Sequence, residues 1–228
     1  MWSESTLHRR PWRALVVGLP LYLAAPNAWG AEPARQTRPS WQWGGSGGLE
    51  AGWLTRSHPQ PGDIDGNPGY ATNPVFLAKL GVMLQWPLGQ NLSVGPIAAF
   101  AALADGERRA WNGELGLLAR LRPWPTTRPW RATYSVGFGA SLNAPSAPQS
   151  FVISHEVSPA LGAMILLAAG VERQHSHGVL FIDGVLTLRG TYDHEHRYTD
   201  TRTGEVATDT ETWSILTLGA RVGVLWDG

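Results

Sequence analysis

Ala132-Thr133-Tyr134-Ser135-Val136-Gly137-Phe138-Gly139-Ala140-Ser141-Leu142 alternates without a break: tyrosine, valine, phenylalanine, alanine and leucine on one parity, threonine, serine and glycine on the other. Successive side chains of an extended strand point to opposite faces, so this segment carries one apolar face and one small, polar face. A helix would wind both sets around its circumference. The same period of two recurs on either side. Leu49, Ala51 and Trp53 oppose Gly48, Glu50 and Gly52 in 41–54, and Phe76, Ala78, Leu80, Val82, Leu84 and Trp86 oppose Lys79, Gly81, Met83 and Gln85 in 74–86. Trp111, Leu115, Leu117, Ala119 and Leu121 oppose Asn112, Glu114, Gly116, Arg120 and Arg122 in 110–122. Further on, Leu180, Ile182, Leu186, Leu188 and Tyr192 face away from Asp183, Thr187, Arg189 and Thr191 in 178–192, and Leu216, Leu218, Ala220, Val222, Val224 and Trp226 from Thr217, Gly219, Arg221 and Gly223 in 212–226. Two segments are less regular: 92–104 holds Pro96, which cannot donate to a ladder, and 159–172 is apolar on both parities and also fits a buried helix of three turns. Counted as strands, they bring the total to eight.

Charge decides which face is outside. Glu50, Lys79, Glu114, Arg120, Asp183, Arg189 and Arg221 all fall on the less apolar parity. A soluble barrel would hide its apolar parity and show its charges to water. Lipid requires the reverse, because a lysine or arginine at the bilayer midplane costs about 2–4 kcal/mol on a barrel's outer face. The pattern therefore predicts an all-β fold, a single antiparallel up-and-down transmembrane β-barrel of about eight strands over 41–228, with those seven charges as an interior network. Trp53, Trp86, Trp111, Trp124, Trp130, Trp213 and Trp226 stand near strand ends, the positions of an interfacial aromatic girdle. The longer links, at 55–73 and 193–211, are expected on the extracellular side, and both ends of the barrel on the opposite side.

The amino terminus reads as an address. His8-Arg9-Arg10 and Arg13 precede the apolar run from Ala14 to Ala25, and the small residues Ala28 and Gly30 suit a cut before Ala31. The run is shorter than the roughly 20 residues a membrane helix needs. Residues 1–30 are thus expected to be a cleaved signal peptide and 31–40, polar with two prolines, a linker.

Composition narrows the function. The 228 residues balance 18 basic against 18 acidic side chains, so there is no basic field for nucleic acid. Cysteine is absent, which excludes thiol nucleophiles and cysteine-ligated metals or clusters. No cofactor and no metal site is expected. Asp63-Ile64-Asp65-Gly66-Asn67 starts like a calcium loop but has Pro68 and Pro74 where glycine and glutamate belong. Asp193-His194-Glu195-His196 has two histidines in alternation without a third ligand. In Ser154-His155-Glu156 and His175-Ser176-His177 the serine and histidine are adjacent, and neighbours on a strand point to opposite sides, away from the shared hydrogen bond that a hydrolytic set needs. No catalytic residue is assigned.

In size and pattern the chain resembles the small eight-stranded outer-membrane barrels of the OmpA/OmpX type. Trp226 follows Val224, Val222, Ala220 and Leu218 at alternate positions, similar to the aromatic finish of that family, although Asp227 and Gly228 come after it. The resemblance implies a bacterial outer-membrane location, surroundings of outer-membrane lipid and lipopolysaccharide, and insertion by the barrel-assembly machinery. The role expected is structural or an interaction made through 55–73 and 193–211 with an extracellular partner. A narrow porin-like pore or hydrophobic-ligand conduit is the first alternative, and a lipid A-modifying hydrolase the second.

Overall fold

A closed ring of hydrogen-bonded strands requires that the first and last strands pair, and here they do: Gln42 lies opposite Asp227 and Ser57 opposite Thr212. A computed structural model describes residues 41–59, 68–105, 109–123, 130–146, 153–175 and 178–228. Its strands are β1 (Gln42–Pro59), β2 (Pro68–Pro87), β3 (Leu92–Ala104), β4 (Arg109–Leu121), β5 (Trp130–Pro145), β6 (Ile153–Val157), β7 (Ala160–His175), β8 (Gly178–Asp200) and β9 (Val206–Asp227). All pairings are antiparallel, and β1, β2, β3, β4, β5, β7, β8 and β9 form the ring. The fold is an up-and-down β-barrel of eight strands.

The short β6 does not add a wall strand. It meets β8 from Ile153–Asp200 to Val157–His196, and β7 continues along the same edge of β8 from Met164–Arg189 to His175–Gly178. The two are one strand line interrupted at Ser158-Pro159, where proline has no N–H to give the ladder. On the other edge of β8 the register against β9 shifts between Arg189 and Tyr192. That β-bulge exchanges the two faces: Asp183, Thr187 and Arg189 are buried below it, and Tyr192, His194 and His196 are buried above it. Tyr192, expected outward, is therefore inside.

Pro96 does lie in a wall strand. The β2–β3 ladder skips from Met83–Ile97 to Trp86–Val94, leaving Leu84 and Gln85 unpaired opposite Gly95 and Pro96, while the β3–β4 ladder runs through Pro96–Leu117 uninterrupted. The missing donor thus costs bonds on one side only. The segment 159–172 is strand as well, packed between β5 and β8.

Outside, the wall is apolar. Leu49, Phe76, Leu80, Leu115, Phe138, Leu161, Leu186 and Leu218 are all exposed. The outward run from Trp43 to Trp53, at about 3.3 Å per residue and a tilt of about 40°, rises roughly 25 Å along the barrel axis, the height of an outer-membrane apolar band. Above that band the outward positions turn polar, with Thr191, Asp193, Glu195 and Arg197 on β8. The last residues of β1, β3, β5 and β8 and the first of β2, β4, β7 and β9 share this loop end; the last residues of β2, β4, β7 and β9 and the first of β1, β3, β5 and β8 share the turn end. Much of what was expected as loop is strand: 55–59 extends β1, 68–73 extends β2, and 193–200 and 206–211 form the upper β8–β9 hairpin. Gly204, at φ 75°, supplies the left-handed residue of its turn, and its N–H donates to the Asp200 carbonyl at 2.8 Å.

Candidate functional site

The lumen is filled in storeys, and charge and apolar side chains take turns. Nearest the turn end, Glu172 of β7 is fully buried and receives Arg122 Nε at 2.6 Å and Arg131 Nη2 at 3.0 Å. Asp183 of β8 receives Arg120 Nη2 at 2.6 Å and Arg221 Nη2 at 2.7 Å on one oxygen. Both guanidinium groups also lie against the Phe181 ring, 4.4 and 5.5 Å from its centre. Gly223 makes that ring's position possible, since a Cβ there would lie 2.4 Å from Phe181 Cζ. Met83, Ile97, Leu118, Leu166, Val185 and Leu225 complete this storey.

The middle storey is a second network. Arg189 Nη2 is 2.9 Å from Glu50 Oε2 and 2.7 Å from Glu114 Oε1, and its Nε donates to Glu114 at 2.8 Å. Lys79 bridges the same two carboxylates. The Thr217 hydroxyl donates to Glu50 Oε2 at 2.5 Å and accepts from Arg189 Nη1 at 2.8 Å. Two cations thus face two anions, and the Thr217 hydroxyl adds one further hydrogen bond to Glu50, the pairing that burial of charge demands. A cavity of about 20 Å³ beside Glu50 and Lys79 has room for about one water.

Above it, Leu54, Val75, Leu77, Leu103, Ile215, Tyr192 and Trp213 close the bore. The Tyr192 hydroxyl reaches past β7 to donate to Ser141 Oγ at 2.7 Å. Arg56 lies over the Trp213 ring at 4.9 Å and pairs with Asp105.

At the loop end, above the apolar band, the inward row of β8 continues as His194, His196 and Tyr198. His194 Nδ1 donates to the Ser158 carbonyl at 2.8 Å, so the proton sits on that nitrogen. Burial holds this imidazole below the ordinary histidine value, partly offset by the Ser158 hydrogen bond. His196 presents Nε2 to Glu211 Oε2 at 3.2 Å and Nδ1 to His155 Nε2 at 2.9 Å. His155 also stacks on Tyr198, with ring centres 4.4 Å apart.

The seven expected charges are all inside, but in two groups: Glu50, Lys79, Glu114 and Arg189 in one, Arg120, Asp183 and Arg221 in the other. Arg122, Arg131 and Glu172 join the second; Glu172 was hidden in the segment whose two parities look alike. Of the tryptophans, Trp53 and Trp111 are exposed toward the loop end and Trp86, Trp130 and Trp226 toward the turn end, with Trp43 4.9 Å from Trp226. Trp213 is a correction: it is 1% exposed and plugs the bore. It stands on the parity of Thr217 and Arg221, a signal stronger than its nearness to a strand end. Trp124, Asp63 and Asp65, the serine and second histidine of 175–177, and residues 1–40 lie outside the described residues. Ser154 pairs with Thr199 and Glu156 with Arg197 on the face opposite His155, so the adjacent triplet does not converge. Among the described residues no group of three or more side chains suits a metal ion.

No family model matches the sequence, and no curated protein matches it. Among solved structures the chain is similar to the outer-membrane protease OmpT from Escherichia coli, at 6% identity over 82% of this chain and 97% of that one, TM-score 0.48. It is similar to Neisserial surface protein A at 11% identity over 79% and 96%, TM-score 0.43, and to outer membrane protein AlkL at 10% over 90% and 98%, TM-score 0.47.

Proposed function

We propose that this chain is an integral barrel of the bacterial outer membrane, delivered by the leader at 1–30, with a sealed bore and a structural or surface-interaction role exercised at its loop end. The observation that carries this reading is the filled lumen below an apolar exterior. Two ion-pair storeys and the Tyr192–Trp213 plug occupy the bore, and moving an ion through it would require breaking pairs whose separation costs several kcal/mol each. Eight strands leave an interior that side chains fill, and here they do so with mutually neutralising groups. The apolar outer band favours lipid and the lipid part of lipopolysaccharide as the surroundings. The β6–β8–β9 strands and the β1–β2 extension stand above that band, where a soluble or surface partner would meet them.

A non-catalytic role is favoured because His155 is engaged with His196 and Tyr198, and Ser154 lies on the other face. Recordings in planar bilayers test the sealed bore. Folded protein is expected to give a flat trace, and unit conductance steps would overturn the reading in favour of a pore.

A further inference from the structure

We propose that His155 and His196 form an acid-sensitive clasp, which holds β6 against the β8–β9 hairpin at neutral pH and lets it go when both imidazoles are protonated. The two rings are inclined by only 26°, their centres are 5.1 Å apart, and Nε2 of His155 is 2.9 Å from Nδ1 of His196. With each ring nitrogen about 1.1 Å from its ring centre by standard imidazole geometry, those distances place the nitrogens almost on the line between the centres. This is an in-plane N–H···N bond: one nitrogen carries the proton and the other must be bare. A metal ion held by both would need about 2.0–2.1 Å to each nitrogen at an open angle, which this collinear approach does not offer.

The second nitrogen of His196 faces the Glu211 carboxylate. One extra proton is therefore tolerated: His196 becomes a cation donating on both sides, to His155 and to Glu211. A second proton is not. It puts an N–H on each of the facing nitrogens, removes the acceptor, and sets two positive rings against each other. Histidine is the side chain whose charge changes between about pH 5 and 8, so the pair is to be tested across that range.

The carboxylates nearby favour the first proton but do not restore the acceptor that the second removes. Tyr198 and His194 flank the pair on β8, Asp209 and Glu211 face it from β9, and Arg56 is engaged by Asp105 and Trp213. Burial disfavours the charged form of His194, so this group also withdraws support as the pH falls: its closed state resists protonation and a loosened state does not. On the opposite face Glu156 and Arg197 stand in register. Besides its five-residue ladder to β8, β6 is held by the His155 contacts and, just past Val157, by Ser158, whose N–H donates to the Glu195 carbonyl, whose hydroxyl accepts from the Glu195 N–H and whose carbonyl accepts from His194; proline at 159 interrupts the strand line behind it. Loss of the imidazole acceptor is therefore expected to loosen the five residues of β6 locally, with the chain still tethered to β8 at Ser158.

Hydrogen exchange on the folded protein in lipid vesicles tests this, with protection corrected for intrinsic rates at pH 7.5 and 5.0. Amides of 153–157 are expected to lose about tenfold in protection at pH 5.0, the scale of one hydrogen bond lost, while β5 amides keep theirs. His155→Phe retains a ring on Tyr198 and is expected to show less than about a twofold change between the two pH values. Glu211→Gln removes the balancing charge and is expected to move the loss to higher pH. Unchanged protection of 153–157 in the native chain, an equal loss in His155→Phe, or a parallel loss throughout the barrel would each overturn the proposal.

Discussion

Arg189 is the side chain on which the middle of the lumen depends. It holds Glu50 and Glu114 together with two nitrogens while a third donates to Thr217. Arg189→Leu would leave two buried carboxylates with Lys79 as their remaining cation, and removing one partner from a buried network costs about 3–5 kcal/mol. Urea unfolding in phospholipid vesicles, followed by tryptophan fluorescence, is expected to show that loss. A milder change, Thr217→Ala, removes only a hydroxyl and is expected to cost about 1–3 kcal/mol. At this scale the sequence was informative about which face each charge takes and uninformative about partners. Nothing in the spacing of Glu50, Glu114 and Arg189 says that strands far apart in sequence aim them at one point. Tyr192, His194 and His196 were misplaced or left unassigned for a different reason, which belongs to the next scale.

A single β-bulge decides the upper half of β8. Gly190-Thr191 inserts an extra residue against β9, and every side chain above it changes face. A glycine inside a strand is the sequence signal for such a bulge. The neighbouring strand is matched to it by Gly162, where a Cβ would come within 2.3 Å of the Gly190 carbonyl oxygen and 2.9 Å of Tyr192 Cε1. Gly162→Ala is therefore expected to destabilise the barrel by about 1–3 kcal/mol, the range for overpacking. Gly113, where a Cβ would meet nothing within 4 Å, provides the comparison: Gly113→Ala is expected to be neutral or slightly favourable in the same measurement. Pro96 shows the converse, a residue that argues against a wall strand yet is accommodated by a local gap in one ladder.

For the molecule as a whole, the separation of apolar and charged faces is the property that matters. Leu218 lies on the outer face of β9 at 64% exposure, midway along its apolar run. Leu218→Arg is expected to cost about 2–4 kcal/mol in vesicles, as charge on the lipid face does. In the opposite direction, the closed ring leaves no wall strand with a free edge within the band, so the hairpin and β6 above it are where strands can still open and close. The period of two, with charge confined to one parity, determined by itself that the chain is a barrel turned inside out relative to a soluble one. It did so because face alternation is a local property of extended backbone. Only the tertiary structure decided which charges pair, that Trp213 and Tyr192 plug the bore, and that His155 meets His196. Those outcomes depend on register and on one bulge, and register is set by the closure of all eight strands together.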